Sequence, residues 1–109
     1  MFEDTRLKIF IKLAECGNFT AASRELGISQ PAVSQNIAEI ERLAGQPLFD
    51  RTRSGVTLTK QGELFKKFAL RINSAYEDLN TVFRNYDLFV DFIEKYDELS
   101  SDPLFKLLR

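Results

Sequence analysis

Seventeen residues, Phe19 to Gln35 (FTAASRELGISQPAVSQ), carry two helix starts and one tight turn. A chain this compressed is confined to helix, turn and second helix at a steep angle, the arrangement that holds a short helix where it can enter the major groove of DNA. Thr20 reads as the N-cap of a two-turn helix through Leu26, which Gly27 ends in the left-handed conformation. Ser29 caps again and puts Gln30 and Pro31 in the first turn of the next helix, where proline has no intrahelical N–H bond to lose.

The second helix sorts into two faces. At 3.6 residues per turn Val33, Ile37, Ile40 and Ala44 form an inward stripe, with Pro31, Gln35, Ala38 and Arg42 opposite and Ser34 and Glu39 flanking. Short polar side chains near the N-terminus of the outward face suit close approach to a groove floor, and the Gln35 amide can grip adenine N6 and N7 bidentately. The hydroxyls of Thr20, Ser29 and Ser34, with free N–H groups at two helix starts, suit phosphate oxygens and fix register without reading sequence. An earlier helix, from about Asp4 to Glu15, is read as scaffold, with Leu7, Phe10, Ile11 and Ala14 on one side; Gly17 ends it and Phe19 enters the core.

Several spaced motifs, from TAAS through SQPAVSQ, the Glu41-containing helix end and PLF-R to the closing LT-x-x-G, agree in order and separation, and over residues 1–87 the chain resembles the N-terminal winged helix-turn-helix of LysR-type transcriptional regulators. The resemblance implies that Ser29 to Ala44 is the recognition helix, that Leu48 to Leu58 is a wing, and that the helix after Thr59 is the linker through which such proteins dimerise. The residues of the wing read the same way. Pro47 keeps the chain extended, Leu48 and Phe49 anchor it, a polar run from Asp50 to Gly55 makes the tip, and Val56, Thr57 and Leu58 return as a short strand. Arg51 and Arg53 then reach phosphates or an adjacent minor groove, against the plainer alternatives of solvated charges or an Arg51–Asp50 pair.

A second signal follows Thr59. Phe65, Ile72, Leu79, Tyr86 and Ile93 recur every seven residues, and Phe68, Ala75, Val82, Phe89 and Tyr96 repeat three positions later. That pattern argues for a long helix over residues 59–99 packed along another helix, with Asn85, Tyr86 and Asp87 as the place where a bend or a fold-back would fall. Ala69, Tyr76, Phe83 and Val90 widen the stripe, so the helix is expected to pack on its own domain as well as on a second copy. Ten phenylalanines make an uncovered stripe prone to aggregate, which favours a homodimer.

The expected architecture is therefore mainly α: a winged helix-turn-helix over residues 1–60, comprising a three-helix core plus a short β-hairpin wing with the helix-turn-helix at about 19–38, then the long dimerisation helix, then a short apolar tail over residues 100–109. The tail either docks on the dimer or marks where a longer polypeptide was cut. With 109 residues, 44% of them hydrophobic, the chain supplies one small core and no small-molecule effector domain. The net charge of −1 and a pI near 5.5 argue against a polyanion partner. Its distribution softens that objection: between Thr20 and Arg71 eight basic residues face five acidic ones, and from Ile72 onward four face eight. Binding is then weak and salt-dependent per reader, with specificity resting on a dimer across two half-sites.

Other chemistry is sparse. The chain has no histidine and a single Cys16, so neither a disulfide nor a metal site is expected, and a reducing compartment is implied. The carboxylates have the spacing of solvated helix faces, the glycines are scattered singly, and no cofactor loop or catalytic constellation emerges, so the chain does not read as an enzyme. There is no basic-then-apolar leader and no run of 18 apolar residues, which points away from a membrane and to the cytoplasm. Two functions fit: a homodimeric, sequence-specific double-stranded-DNA-binding transcriptional regulator, or an interaction module that pairs with a full-length regulator and modulates it.

Overall fold

The computed structural model describes residues 4–87 and 90. Asp4–Asn73 form one compact unit, and the chain from Ser74 belongs to a second. In chain order the elements are α1 (Thr5–Cys16), α2 (Phe19–Leu26), α3 (Gln30–Ala44), β1 (Phe49–Thr52), β2 (Gly55–Leu58) and α4 (Lys60–Arg84). The order is that of a winged helix-turn-helix followed by a long helix.

Local chemistry sets most boundaries. The Asp4 carboxylate accepts from the Arg6 N–H (3.0 Å) to start α1. For α2 the cap is Asn18, whose side-chain oxygen accepts from the Ala21 N–H at 2.7 Å. Thr20, expected at that position, lies inside the first turn instead; an Asx side chain two residues earlier reaches the same orphan N–H groups, and Phe19 becomes helical as a result. Ser29 caps α3 as expected, accepting from Ala32 N–H (3.2 Å), with Pro31 in the first turn. Between these helices Gly27 sits at φ 70°, a conformation that a side chain would resist, and the Ile28 N–H bonds back to the Ser23 carbonyl (3.1 Å) to close the turn.

The core gathers around Phe10, which is fully buried and packs its ring 5.1 Å from Phe49 and 4.6 Å from Phe65. Ile9, Ile11 and Leu13 of α1 are buried with it, while Leu7 and Ala14 are only partly covered. The inward side of α1 is wider than the expected face because α2, α3 and β2 all contact it. From α3, Val33, Ile37 and Ile40 join the core. Ala44, assigned to the same stripe, is exposed, because it is the last helical residue and has run past the domain's edge. Each large side chain so buried contributes roughly 1.5–3 kcal/mol.

The hairpin pairs Phe49 with Leu58, Asp50 with Thr57, Arg51 with Val56 and Thr52 with Gly55. Leu48 and Phe49 anchor it, and the Glu41 carboxylate fixes its entry by accepting from the Leu48 (2.7 Å) and Phe49 (3.3 Å) N–H groups. Thr59 then joins wing to helix: its hydroxyl donates to the Pro47 carbonyl (2.7 Å) and accepts from Gly62 N–H (2.9 Å), capping α4. Gly62 is buried against the Leu48 carbonyl, where a Cβ would collide.

Whether one helix runs on through Leu99 lies outside the described residues. α4 ends at Arg84 and Asn85 stands in a turn, with helical backbone again at Tyr86, Asp87 and Val90. The Asn85 backbone N–H still makes the helical bond to the Thr81 carbonyl (3.1 Å), and its side-chain amide donates to the same oxygen (3.2 Å), the local competition that loosens a helix end. Ile93, Tyr96 and the tail over residues 100–109 lie outside the described residues, as does Phe89.

Candidate nucleic-acid interface

The outward face of α3 is open. Gln30, Pro31, Gln35, Ala38 and Arg42 are all exposed, as are Ser29 before them and Thr20 on α2, while Ser34 is half-buried at the margin. Gln30 turns its amide back to donate to the Thr20 hydroxyl oxygen (2.9 Å), tying the first turn of α3 to the first turn of α2. Because Thr20 accepts there, its own hydroxyl hydrogen is left to donate outward, and Ser29 is placed likewise by accepting from Ala32. Gln35 is exposed and makes no hydrogen bond within the described residues. This patch has donors and acceptors at short reach with apolar Pro31 and Ala38 between them, the chemistry that suits a base edge or a thymine methyl.

Farther along the same helix the face changes character. Arg42 forks onto Glu39 through Nε (2.9 Å) and Nη2 (2.5 Å), a bidentate pair that largely cancels charge at the C-terminal half. The hydrogen bond from Arg42 holds the Glu39 carboxyl below its ordinary range, and the same bond raises the guanidinium. The first half of α3, residues 30–36, carries no charged side chain at all. The pair went unread in the sequence, although an acid and an arginine three apart on one helix face were its signal.

On the wing, Arg51 and Arg53 are exposed, and neither forms an ion pair among the described residues. Arg53 lies in the turn between the strands, beyond the last paired residue, Thr52. Arg51 places its guanidinium carbon 4.7 Å from the centre of the Phe19 ring. The alternative pairing of Arg51 with Asp50 does not form, because neighbouring residues of a strand leave on opposite faces.

The expected dimerisation residues fall into two groups. Phe68 and Ile72 are 54% and 44% exposed, and Ala75 and Tyr86 are exposed too. Phe65 is half-buried with its ring on Phe10, Leu79 is half-buried, and Val82 is 1% exposed in the single chain. Phe65 and Val82 therefore offer little free surface to another copy. Leu64 and Leu70, off the expected register, are 58% and 43% exposed and extend the open apolar surface of α4.

Elsewhere, Glu25 accepts a hydrogen bond from the Cys16 thiol (2.5 Å) and thereby pushes it above its usual pKa, which keeps it protonated. Among the described residues there is no group of His, Cys, Asp and Glu that could hold a metal ion, and no helix long and apolar enough to cross a membrane.

Residues 5–63 match the family of bacterial regulatory helix-turn-helix proteins, lysR family. The HTH-type transcriptional regulator BudR of Raoultella terrigena is 48% identical over 66 residues, which are 61% of this chain and 23% of that protein. The chain spans between about a quarter and a half of the length of the first curated relatives it matches. Among solved structures, the CbnR DNA-binding domain in complex with DNA is 33% identical with a TM-score of 0.64, covering 83% of this chain and 97% of that one. The BenM DNA-binding domain in complex with the catB site 1 DNA is 27% identical with a TM-score of 0.73, covering 79% and 97%.

Proposed function

Since the chain belongs to the lysR family of bacterial regulatory helix-turn-helix proteins, we propose that it binds double-stranded DNA sequence-specifically as a homodimer and regulates transcription. The observation that carries this reading is the open, uncharged first half of α3, with Gln35 free at its centre. Two similar domains, those of CbnR and BenM, are described as DNA complexes, which supports the same partner here.

In this reading Gln35 contacts a base edge, Gln30, Pro31 and Ala38 line the groove floor, and Thr20, Ser29 and Ser34 donate to phosphates. Arg51 and Arg53 add cations from the wing. Two copies join through the exposed apolar surface of α4 around Phe68, Ile72 and Ala75, and each sets one α3 in a major groove.

The test is a fluorescence-anisotropy titration on fragments of the gene's own upstream DNA across a salt series. Gln35→Ala should weaken binding by roughly 1–3 kcal/mol on some sequences and not on others, the mark of a base reader. Arg53→Ala should weaken all sequences alike and lower the salt slope by about 1. Pairing with a longer family member through α4, with DNA contact incidental, is the second reading, favoured by the open Leu64, Phe68 and Ile72 surface. It gains if neither substitution changes DNA binding.

A further inference from the structure

The two wing arginines are not equivalent. In the hairpin Arg51 lies opposite Val56, and residues opposite one another leave the strands on the same face. Val56 is buried, so Arg51 leaves the strand on the domain side, and its guanidinium lies over the Phe19 ring. Arg53 sits at the turn, with no ring beneath it among the described residues.

The wing is seated where Phe19 begins. Val56 donates its N–H to the Gly17 carbonyl (2.8 Å), and Gly55 lies so close to that carbonyl that a Cβ would collide with it. Asn18, next in the chain, caps α2, and Phe19 follows half-buried against the core. Residues 17–19 thus receive the wing through a hydrogen bond, a close backbone approach and a ring. At 4.7 Å from the ring centre the Arg51 guanidinium is well within cation–π range. Stacking occupies the planar face of the group and leaves its N–H edge to donate.

From this geometry we infer that Phe19 is a positioning residue for DNA binding: its ring holds Arg51 beside the N-terminus of α2, so that the wing meets a backbone phosphate with a cation already ordered. The inference rests on the DNA-binding reading above and adds to it an aromatic residue that makes no DNA contact of its own. Ordering a long, rotamer-rich side chain in the free protein removes part of the entropy otherwise lost on binding. Phe19 therefore acts through Arg51 and has no such role for Arg53.

The experiment uses the full chain and a labelled duplex that it selects from a random-sequence pool, titrated across a salt series. Phe19→Leu, which keeps apolar volume and loses the ring, should weaken binding about two- to five-fold, and Phe19→Tyr should restore it. Arg51→Ala should weaken binding and lower the salt slope by about 1, and adding Phe19→Leu to it should cost nothing further. Should Phe19→Leu fail to fold, Arg51→Lys carries the test: it keeps the charge and salt slope, loses the planar stack, and should bind two- to five-fold more weakly. Losses that multiply in the double variant, wild-type affinity in Phe19→Leu or Arg51→Lys, or no effect of Arg51→Ala would each overturn the role of Phe19 while leaving DNA binding intact. Absence of salt-dependent binding by the wild-type chain would overturn both readings.

Discussion

α3 and α4 both carry apolar residues at helical spacing, yet they dispose of them differently. In α3 the stripe of Val33, Ile37 and Ile40 is covered by its own domain, and what faces outward is polar. Of the apolar side chains of α4 only Ala69 and Val82 are buried to the same degree, while Leu64, Phe68, Leu70 and Ile72 remain 43–58% exposed. Periodicity announces that a stripe will be covered; it does not say by which molecule. The apolar stripe of α3 is covered within one chain and its other face is open, whereas α4 keeps exposed apolar surface, the face on which we propose that a second copy docks.

The sharpest way to break this contrast between covered and open apolar surface is to cut a phenylalanine from each kind, Phe10 of α1 from the core and Phe68 of α4 from the open face. Phe10→Ala empties the aromatic centre between Phe49 and Phe65 and should destabilise the domain by about 3–5 kcal/mol in urea unfolding. Phe68→Ala, measured at concentrations where the chain is monomeric, should cost under about 1 kcal/mol. Comparable losses would mean that the Phe68 side of α4 is core after all.

Ile72→Asp places a charge on the open surface of α4 and should weaken self-association at least about tenfold, some 1.4 kcal/mol, in sedimentation equilibrium while leaving unfolding of the domain unchanged. Unaltered association would move the pairing surface elsewhere. Glu41→Ala tests the α3 side, where the carboxylate bridges to the wing. Losing it leaves two backbone N–H groups at the wing entry without their acceptor, for about 1–3 kcal/mol, and hydrogen exchange should rise first at Leu48 and Phe49.

The smallest effect concerns the outward face of α3. Arg42 depresses the Glu39 pKa below its ordinary 4.5, so the stabilisation this pair gives is present above that value and fades as the pH falls through the lower, folded-state one. Both groups are exposed and water screens them. A slight acid-side loss of stability, absent in Glu39→Gln, is the expected outcome of pH-dependent thermal melts.

Most of the reading domain was legible because its signals are local. Ser29 and Pro31, Gly27, and the Leu48–Phe49 anchor each act within a few residues, and helix, turn and hairpin followed from them. The misplaced N-cap has the same origin: Asn18 and Thr20 are both competent, and only the three-dimensional approach of Asn18 to Ala21 decides between them. What sequence spacing does not encode is contact between distant elements. Phe19 under Arg51 and Glu41 under the wing join residues 32 and seven positions apart, and no periodicity marks them. On α4 the seven-residue repeat marked an apolar stripe without separating Phe65, which packs on Phe10, from Phe68, which does not.

The central claim, that α4 pairs two finished readers on one stretch of DNA, is tested most directly by the mass of the complex formed with a duplex the protein selects. Sedimentation at low micromolar concentration should give two chains per duplex for the wild type, and Ile72→Asp should give a single chain held more weakly. One wild-type chain per duplex, bound as tightly as the Ile72→Asp variant, would contradict it.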